Sequence, residues 1–254
     1  MAKYYYCSRI MPETRSFGDL KNLLNLDLEG KRRKITYISG SMNRSLAPKE
    51  VKALSKSYRN GASKNLVQLG IDMQSFTLLW KSQKKEELVE EILNSDIVYL
   101  LGGNPIEQLA YIKTNGLDEI LRSYEGIIVG VSGGAMTMSN DLIVPPCGEK
   151  YKECIIQKGL GLSRLNVMPH TSYTPEQNLI QTKDGNIDWN DLLKISKEYE
   201  LLGLSNEGIL RYTEEGIYIL GDIPCLLSDG KIHNLDYKEE KIDHILVKKL
   251  IYKK

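Results

Sequence analysis

Neither acidic nor basic residues are in marked excess in this sequence. Its 34 Lys and Arg residues face 33 Asp and Glu, a net charge of +1, so no strong overall field recruits nucleic acid or an anionic membrane. The basic runs Lys31-Arg32-Arg33-Lys34 and Lys253-Lys254 are short and read as solvated strand ends and terminus. Apolar runs of membrane-spanning length are absent too. Met1-Ala2-Lys3-Tyr4-Tyr5-Tyr6-Cys7 lacks the apolar core of a signal peptide, so a cytoplasmic protein is the expectation. Cysteine and histidine are scarce. Cys7, Cys147, Cys154 and Cys225 stand at no paired short spacing, and none of the three histidines, His170, His233 and His244, lies near two of them. This argues against a disulfide framework and against a zinc site. Reduced thiols, no metal and no cofactor are expected, with a redox pair at Cys147 and Cys154 the lesser alternative.

What is present is ordinary globular material: 254 residues, 41% hydrophobic and 26% charged. That length suffices for one large α/β domain, although two small domains would also fit it. Strand-like runs occupy 4–8, 34–39 and 73–80, and helical patterns occupy 19–28 and 48–70, with a loop at Asn43-Arg44-Ser45 between. An amphipathic helix over 84–94 carries Leu88, Val89, Ile92 and Leu93 on its apolar side. Asp96-Ile97-Val98-Tyr99-Leu100-Leu101 is nearly all apolar, as strands buried on both faces of a parallel sheet are. It breaks at Gly102-Gly103, after which Asn104 suits a helix N-cap and Pro105 the first helical position. Helical segments follow through Ile112 and over 117–123. Such alternation predicts a doubly wound, mostly parallel α/β sheet. Beyond Ser139 the pattern weakens: 140–158 reads as a surface excursion, 165–168 as a short strand and 189–200 as a helix. Strands are expected over 201–204, 209–212, 217–220 and 225–227, with hairpin turns at Glu214-Glu215-Gly216 and Ser228-Asp229-Gly230. The reading is one domain over 1–254, with 205–254 as its β-rich C-terminal extension.

The chain is organised around Ile127-Ile128-Val129-Gly130-Val131-Ser132-Gly133-Gly134-Ala135-Met136. An apolar strand climbs to a Gly-x-Ser-x-Gly turn and passes into a helix, the order required for a nucleophile elbow. Gly130 and Gly134 would let strand and helix backbones approach, and Gly133 offers an unobstructed N–H to an oxyanion. A phosphate-cradling loop is the blander reading of the same glycines. A serine hydroxyl needs a base to take its proton, and His170, which ends a short apolar strand after Pro169, is the best placed. His233 and His244 lie in the charged C-terminal region and suit solvated or structural roles. Two carboxylates could orient the imidazole: Asp141, after the elbow helix, and Glu207, after a later strand.

Taken together, Val98-Tyr99-Leu100-Leu101-Gly102-Gly103-Asn104, the elbow and Asn166-Val167-Met168-Pro169-His170 resemble the serine peptidases of the aspartyl dipeptidase (dipeptidase E) and cyanophycinase family, which share the class I glutamine amidotransferase-like fold. The resemblance follows element order from about Ile35 to Glu207. It implies Ser132 as nucleophile and His170 as base. Backbone N–H groups of Gly133 and Gly103 become the oxyanion donors, and Gly102 and Asn104 belong to the substrate-binding loop. Asn140-Asp141 is similar to the acid context of the dipeptidases, whereas Glu207 looks like the glutamate of cyanophycinases; the second is narrowly favoured. Two departures stand out: Gly133 replaces the alanine that most members carry, which should loosen the turn, and 171–183 holds no arginine of the kind tied to aspartate specificity. Serine rather than cysteine at the elbow argues against release of ammonia from glutamine. The resulting expectation is a serine hydrolase cleaving short peptides, without metal or cofactor, with a homodimer allowed. A catalytically idle binding or regulatory protein on the same scaffold, and an esterase or acyltransferase, are the competing readings.

Overall fold

The computed structural model describes residues 2–10, 12–28, 33–40, 48–71, 74–79, 83–171, 179–182, 185–222, 224–234, 240–242 and 245–249. The expected loop at Asn43-Arg44-Ser45, the ends Met73 and Trp80 of the third predicted strand, and His244 lie outside the described residues. The first half alternates as the apolar runs predict: β1 Lys3–Cys7, α1 Arg15–Leu28, β2 Lys34–Gly40, α2 Pro48–Gln68, β3 Ser75–Leu79, α3 Lys85–Leu93, β4 Ile97–Gly103, α4 Pro105–Thr114, α5 Leu117–Ser123, β5 Ile127–Val131 and α6 Gly133–Met138. The second half is richer in strands: β6 Asp141–Val144, β7 Ile155–Lys158, β8 Val167–Met168, β9 Leu179–Thr182, β10 Gly185–Asp188, α7 Trp189–Ile195, β11 Leu201–Gly203, β12 Ile209–Thr213, β13 Gly216–Leu220, β14 Cys225–Ser228, β15 Lys231–Asn234, β16 Glu240–Ile242 and β17 Ile245–Lys249.

The central sheet runs β16-β17-β13-β12-β1-β5-β4-β2-β3. From β1 to β3 every neighbouring pair is parallel; β12 and β13 extend the sheet antiparallel beyond β1. The apolar runs of β4 and β5 occupy its middle, and Val98, Leu100, Ile127, Ile128 and Val129 are all buried, since helices cover both faces of such a sheet. A second sheet, β15-β14-β11-β8, carries the segment ending in Pro169-His170. Because β1, β4 and β5 are parallel, their carboxyl ends open on one side, where the sites of open α/β sheets form.

Several boundaries differ from the sequence reading. The stretch over 140–158 is not a surface excursion: β6 and β7 pair antiparallel, and Leu142, Ile143 and Val144 are buried. Leu93 is 57% exposed, whereas Leu88 and Ile92 of α3 are buried and Val89 packs half-buried against the core. The helix beginning at Trp189 ends at Ile195, where the Ser196 hydroxyl turns back to the Leu193 carbonyl (2.9 Å). Strands β9 and β10 pair antiparallel, which the sequence reading lacked. Both predicted hairpin turns are present, the second with Asp229 and Gly230 at φ 53° and 74°.

One buried ionic group fixes β12 against β1. Asp27 of α1 accepts hydrogen bonds from Tyr5 Oη (2.5 Å), Arg211 Nε (2.9 Å) and Arg211 Nη2, and pairs with Lys3 Nζ (3.0 Å). Burial alone would raise the Asp27 carboxyl, but the bonds from Arg211, Tyr5 and Lys3 outweigh it and hold it below its ordinary value. The loop entering β12, residues 204–208, is thereby set beside the carboxyl end of β1.

Candidate active site

At the top of β5 the backbone turns through Ser132 with φ 53° and ψ −118°, a conformation that L-residues other than glycine rarely adopt. Bonds on both sides hold it. Ser132 N donates to the Cys7 carbonyl (2.8 Å), extending the β1–β5 ladder, while the Ser132 carbonyl accepts from Ala135 N (2.9 Å) and Met136 N (3.2 Å) to open α6. A Cβ at Gly133 would run into the Gly103 carbonyl oxygen and lie 3.3 Å from Gly103 N. The glycine that was expected to loosen this turn therefore lets two backbones close on one another. Gly102 packs against Ser132 in the same way, its Cβ position 3.3 Å from the Ser132 Cβ.

His170 arrives from the other sheet. Leu204 N donates to the Met168 carbonyl (2.8 Å) and Thr171 N to the Leu204 carbonyl (2.8 Å), which ties the segment after β8 to the loop after β11. Between these bonds His170 sits at φ 63°. Its backbone N–H donates to Ser8 Oγ (2.8 Å), just past the end of β1. The imidazole Nε2 then lies 2.8 Å from Ser132 Oγ. On the far side, Nδ1 meets Asn206 Oδ1 at 3.1 Å and Ser8 Oγ at 3.2 Å. An amide oxygen can only accept, so Nδ1 carries the proton and Nε2 presents its lone pair to the Ser132 hydroxyl. Burial pushes the His170 imidazole below its ordinary value, the bond to Asn206 opposes it, and the Arg9 charge pushes the same way as burial. At neutral pH the ring is a free base.

The remaining predicted residues divide. Gly102 and Gly103 line the same cavity as Ser132, Gly133 and His170. Asn104 is engaged elsewhere: its side chain accepts from Ile106 N and Glu107 N and donates to Glu107 Oε1 (2.7 Å), capping α4. Asp141 pairs with Lys158 (2.7 Å) across the β6–β7 hairpin. Glu207 lies in the turn after β11, where its N–H donates to Ser205 Oγ (3.2 Å). Among the described residues neither carboxylate is bonded to His170; the groups at Nδ1 are Asn206 and Ser8. Sequence reasoning passed over both of these, although Ser8 closes the first strand and Asn206 adjoins Glu207. His233 is exposed on β15.

The cavity above these groups measures about 640 Å³ and extends from Ser132 and His170 to β6 and β10. Among the described residues no group of three His, Cys, Asp or Glu side chains is arranged to hold a metal, and no helix is long and apolar enough to cross a membrane.

The family model described as peptidase family S51 matches residues 20–220. A peptidase from an acI-B1 Actinobacterium is similar in fold, with a TM-score of 0.61 at 14% identity over 94% of this chain and 96% of that one. A putative peptidase E protein from Listeria monocytogenes EGD-e is similar with a TM-score of 0.56 at 18% identity, over 87% of this chain and 99% of that one. No curated protein matches the sequence significantly.

Proposed function

The chain belongs to peptidase family S51, a family of serine-type peptidases, and from that premise we propose that Ser132 is its nucleophile, His170 its general base, and Asn206 with Ser8 the pair that orients the imidazole. The observation carrying this is the 2.8 Å hydrogen bond from the Ser132 hydroxyl to His170 Nε2. The substrate is a short peptide. As Ser132 Oγ bonds to the scissile carbonyl carbon, its proton passes to Nε2 and the carbonyl electron pair moves onto oxygen. Backbone N–H groups of Gly133 and Gly103 take up that charge; the first belongs to the opening turn of α6, where amides have no carbonyl behind them. Collapse breaks the C–N bond, and His170 returns its proton to the leaving amine. Water then attacks the acyl ester, with His170 again taking a proton, and Ser132 is released with the carboxylic acid product.

A fluorophosphonate probe tests the assignment directly. Labelling on Ser132, found by peptide mass mapping, is the expected result; labelling at another residue, or none, would overturn it.

An orienting amide in place of a carboxylate has a consequence in the pH profile. Activity needs the neutral imidazole, and burial holds its pKa below the ordinary histidine value, so the acid limb of kcat/KM should lie lower than that of an ordinary histidine. Asn206→Asp would set a negative charge opposite Nδ1 and stabilise the imidazolium, moving the acid limb upward by about one pH unit and raising the plateau. A limb that stays in place in this variant would remove Asn206 from the role.

A further inference from the structure

Two successive glycines are a poor way to hold a hydrogen-bond donor still. Gly102 and Gly103 close β4 and pack against the elbow, yet neither has a side chain to anchor it, and Gly103 stands at φ 140°, where L side chains rarely go. An oxyanion site works only when its donors are fixed before charge develops, so groups outside the two glycines must restrain them. Downstream the restraint is the Asn104 cap on α4. Upstream it is Gln108, a fully buried residue of the same helix. Its Nε2 donates to the Ile38 carbonyl of β2 (3.0 Å) and to the Leu101 carbonyl of β4 (3.1 Å). Carbonyl oxygens only accept, which turns the amide nitrogen toward both. These carbonyls stand where the parallel pairing of β2 with β4 shifts register, between Ile38 and Gly40, so the amide spans the two strands where their own ladder is irregular. The Gln108 backbone N–H donates to the Asn104 carbonyl (3.1 Å), and the helix that supplies the tether thus begins at the loop it restrains. Holding the Leu101 carbonyl holds the planar Leu101–Gly102 peptide. The next peptide carries Gly103 N, 3.3 Å from the Cβ position of Gly133.

We propose that Gln108 is a positioning residue of the reaction, its amide fixing the end of β4 so that the Gly103 N–H keeps its place beside Ser132. Gln108 meets no reacting atom and acts through the peptide between Leu101 and Gly102. The proposal rests on the serine peptidase reading and on Gly103 as an oxyanion donor within it.

Gln108→Met keeps an unbranched side chain of similar length and removes both donors. In hydrolysis of a short peptide, kcat per titrated site should fall roughly ten- to a hundredfold while KM changes by less than about twofold, because the lost alignment matters only in the transition state. The acid limb of the pH profile, set by His170, should not move. A peptide aldehyde gives an independent reading: Ser132 Oγ bonds to the aldehyde carbon, the hydroxyl proton passes to His170 Nε2, and the carbonyl electron pair moves onto oxygen at the oxyanion position. Its Ki should rise by the factor by which kcat/KM falls. A purely structural role would instead reduce the fraction of sites that a fluorophosphonate titrates and leave the rate per site and the aldehyde Ki unchanged, which would overturn the proposal. In Gln108→Glu the buried carboxyl, facing two carbonyls, stays protonated and offers one donor in place of two. That variant should fall between the other two proteins in both measurements, and it decides the question where Gln108→Met does not fold; values equal to those of the unaltered protein would overturn the proposal. Absence of fluorophosphonate labelling on Ser132 in the unaltered protein would overturn the hydrolase reading and this inference with it, whereas labelling with unchanged kcat and Ki in the variants would overturn this inference alone.

Discussion

Replacing Ser132 by alanine is expected to lower kcat for peptide hydrolysis by on the order of a millionfold, as loss of the nucleophile does where serine and histidine act as a unit. The expectation follows from how the other groups are placed: His170 Nε2 faces the Ser132 hydroxyl at 2.8 Å, whereas among the described lining residues Ser8 is already bonded to His170, and Cys147 and Thr182 are bonded to each other (3.2 Å). With Oγ gone, the oxyanion donors and the base remain, so slow attack by water would account for any residual rate. The fold should survive. An alanine can keep the Ser132 backbone bonds to Cys7, Ala135 and Met136, and melting should shift by no more than about 2 °C. Steady-state kinetics beside a thermal melt separate the two effects. Hydrolysis within tenfold of the unaltered protein would end the proposal that this hydroxyl attacks the substrate.

Gly134→Ala should damage the protein through its structure instead. A Cβ at Gly134 would overlap the Leu100 carbonyl oxygen and come within 2.7 Å of its carbon and 3.0 Å of its Cβ. The first two are backbone atoms of β4 in mid-sheet and the Cβ is fixed to that backbone, so none has a rotamer to yield. Alanine is the better helix former by about 1 kcal/mol, but overpacking against fixed backbone costs about 1–3 kcal/mol and at times more. The net expectation is a melting temperature lower by about 5 °C or more, with activity falling as α6 lifts away from β4 and carries the elbow with it. Gly18 is the internal control. It lies in α1 with open space where its Cβ would go, so Gly18→Ala should stabilise slightly. If both substitutions behaved alike, the close approach of α6 to β4 would not be what the glycine is for.

The contrast between these two glycines shows what a sequence can disclose. The β4 and β5 runs were readable because burial on both faces leaves a continuous apolar signature, and Asn104-Pro105 because a helix start demands a cap and a pre-set φ. The elbow announced itself for the same reason: a reversal this tight tolerates few residue types. Ser132 and His170 were found through those local demands, and the structure brings them together although they stand 38 positions apart. Asn206 was missed because Glu207 adjoins it; which of two neighbours faces the imidazole depends on the turn after β11, and that turn is set by bonds to Met168 and Thr171 that composition does not reveal. Ser8 was missed because a serine after a strand is common. The β6–β7 hairpin escaped notice because Ile155 and Ile156 of β7 are both partly exposed, which blurs the alternation that marks a one-sided strand.

Both side chains of the Ser132–His170 pair hang from main chain with positive φ, Ser132 at 53° and His170 at 63°. Neither residue would rest there in an isolated peptide, and each such placement costs about 1–3 kcal/mol. Distant neighbours impose it: the Cys7 carbonyl on one, Ser8 and the Leu204 loop on the other. The 2.8 Å meeting of the two side chains is thus a product of tertiary assembly and not of local sequence, so whatever parts the two sheets releases both backbones together.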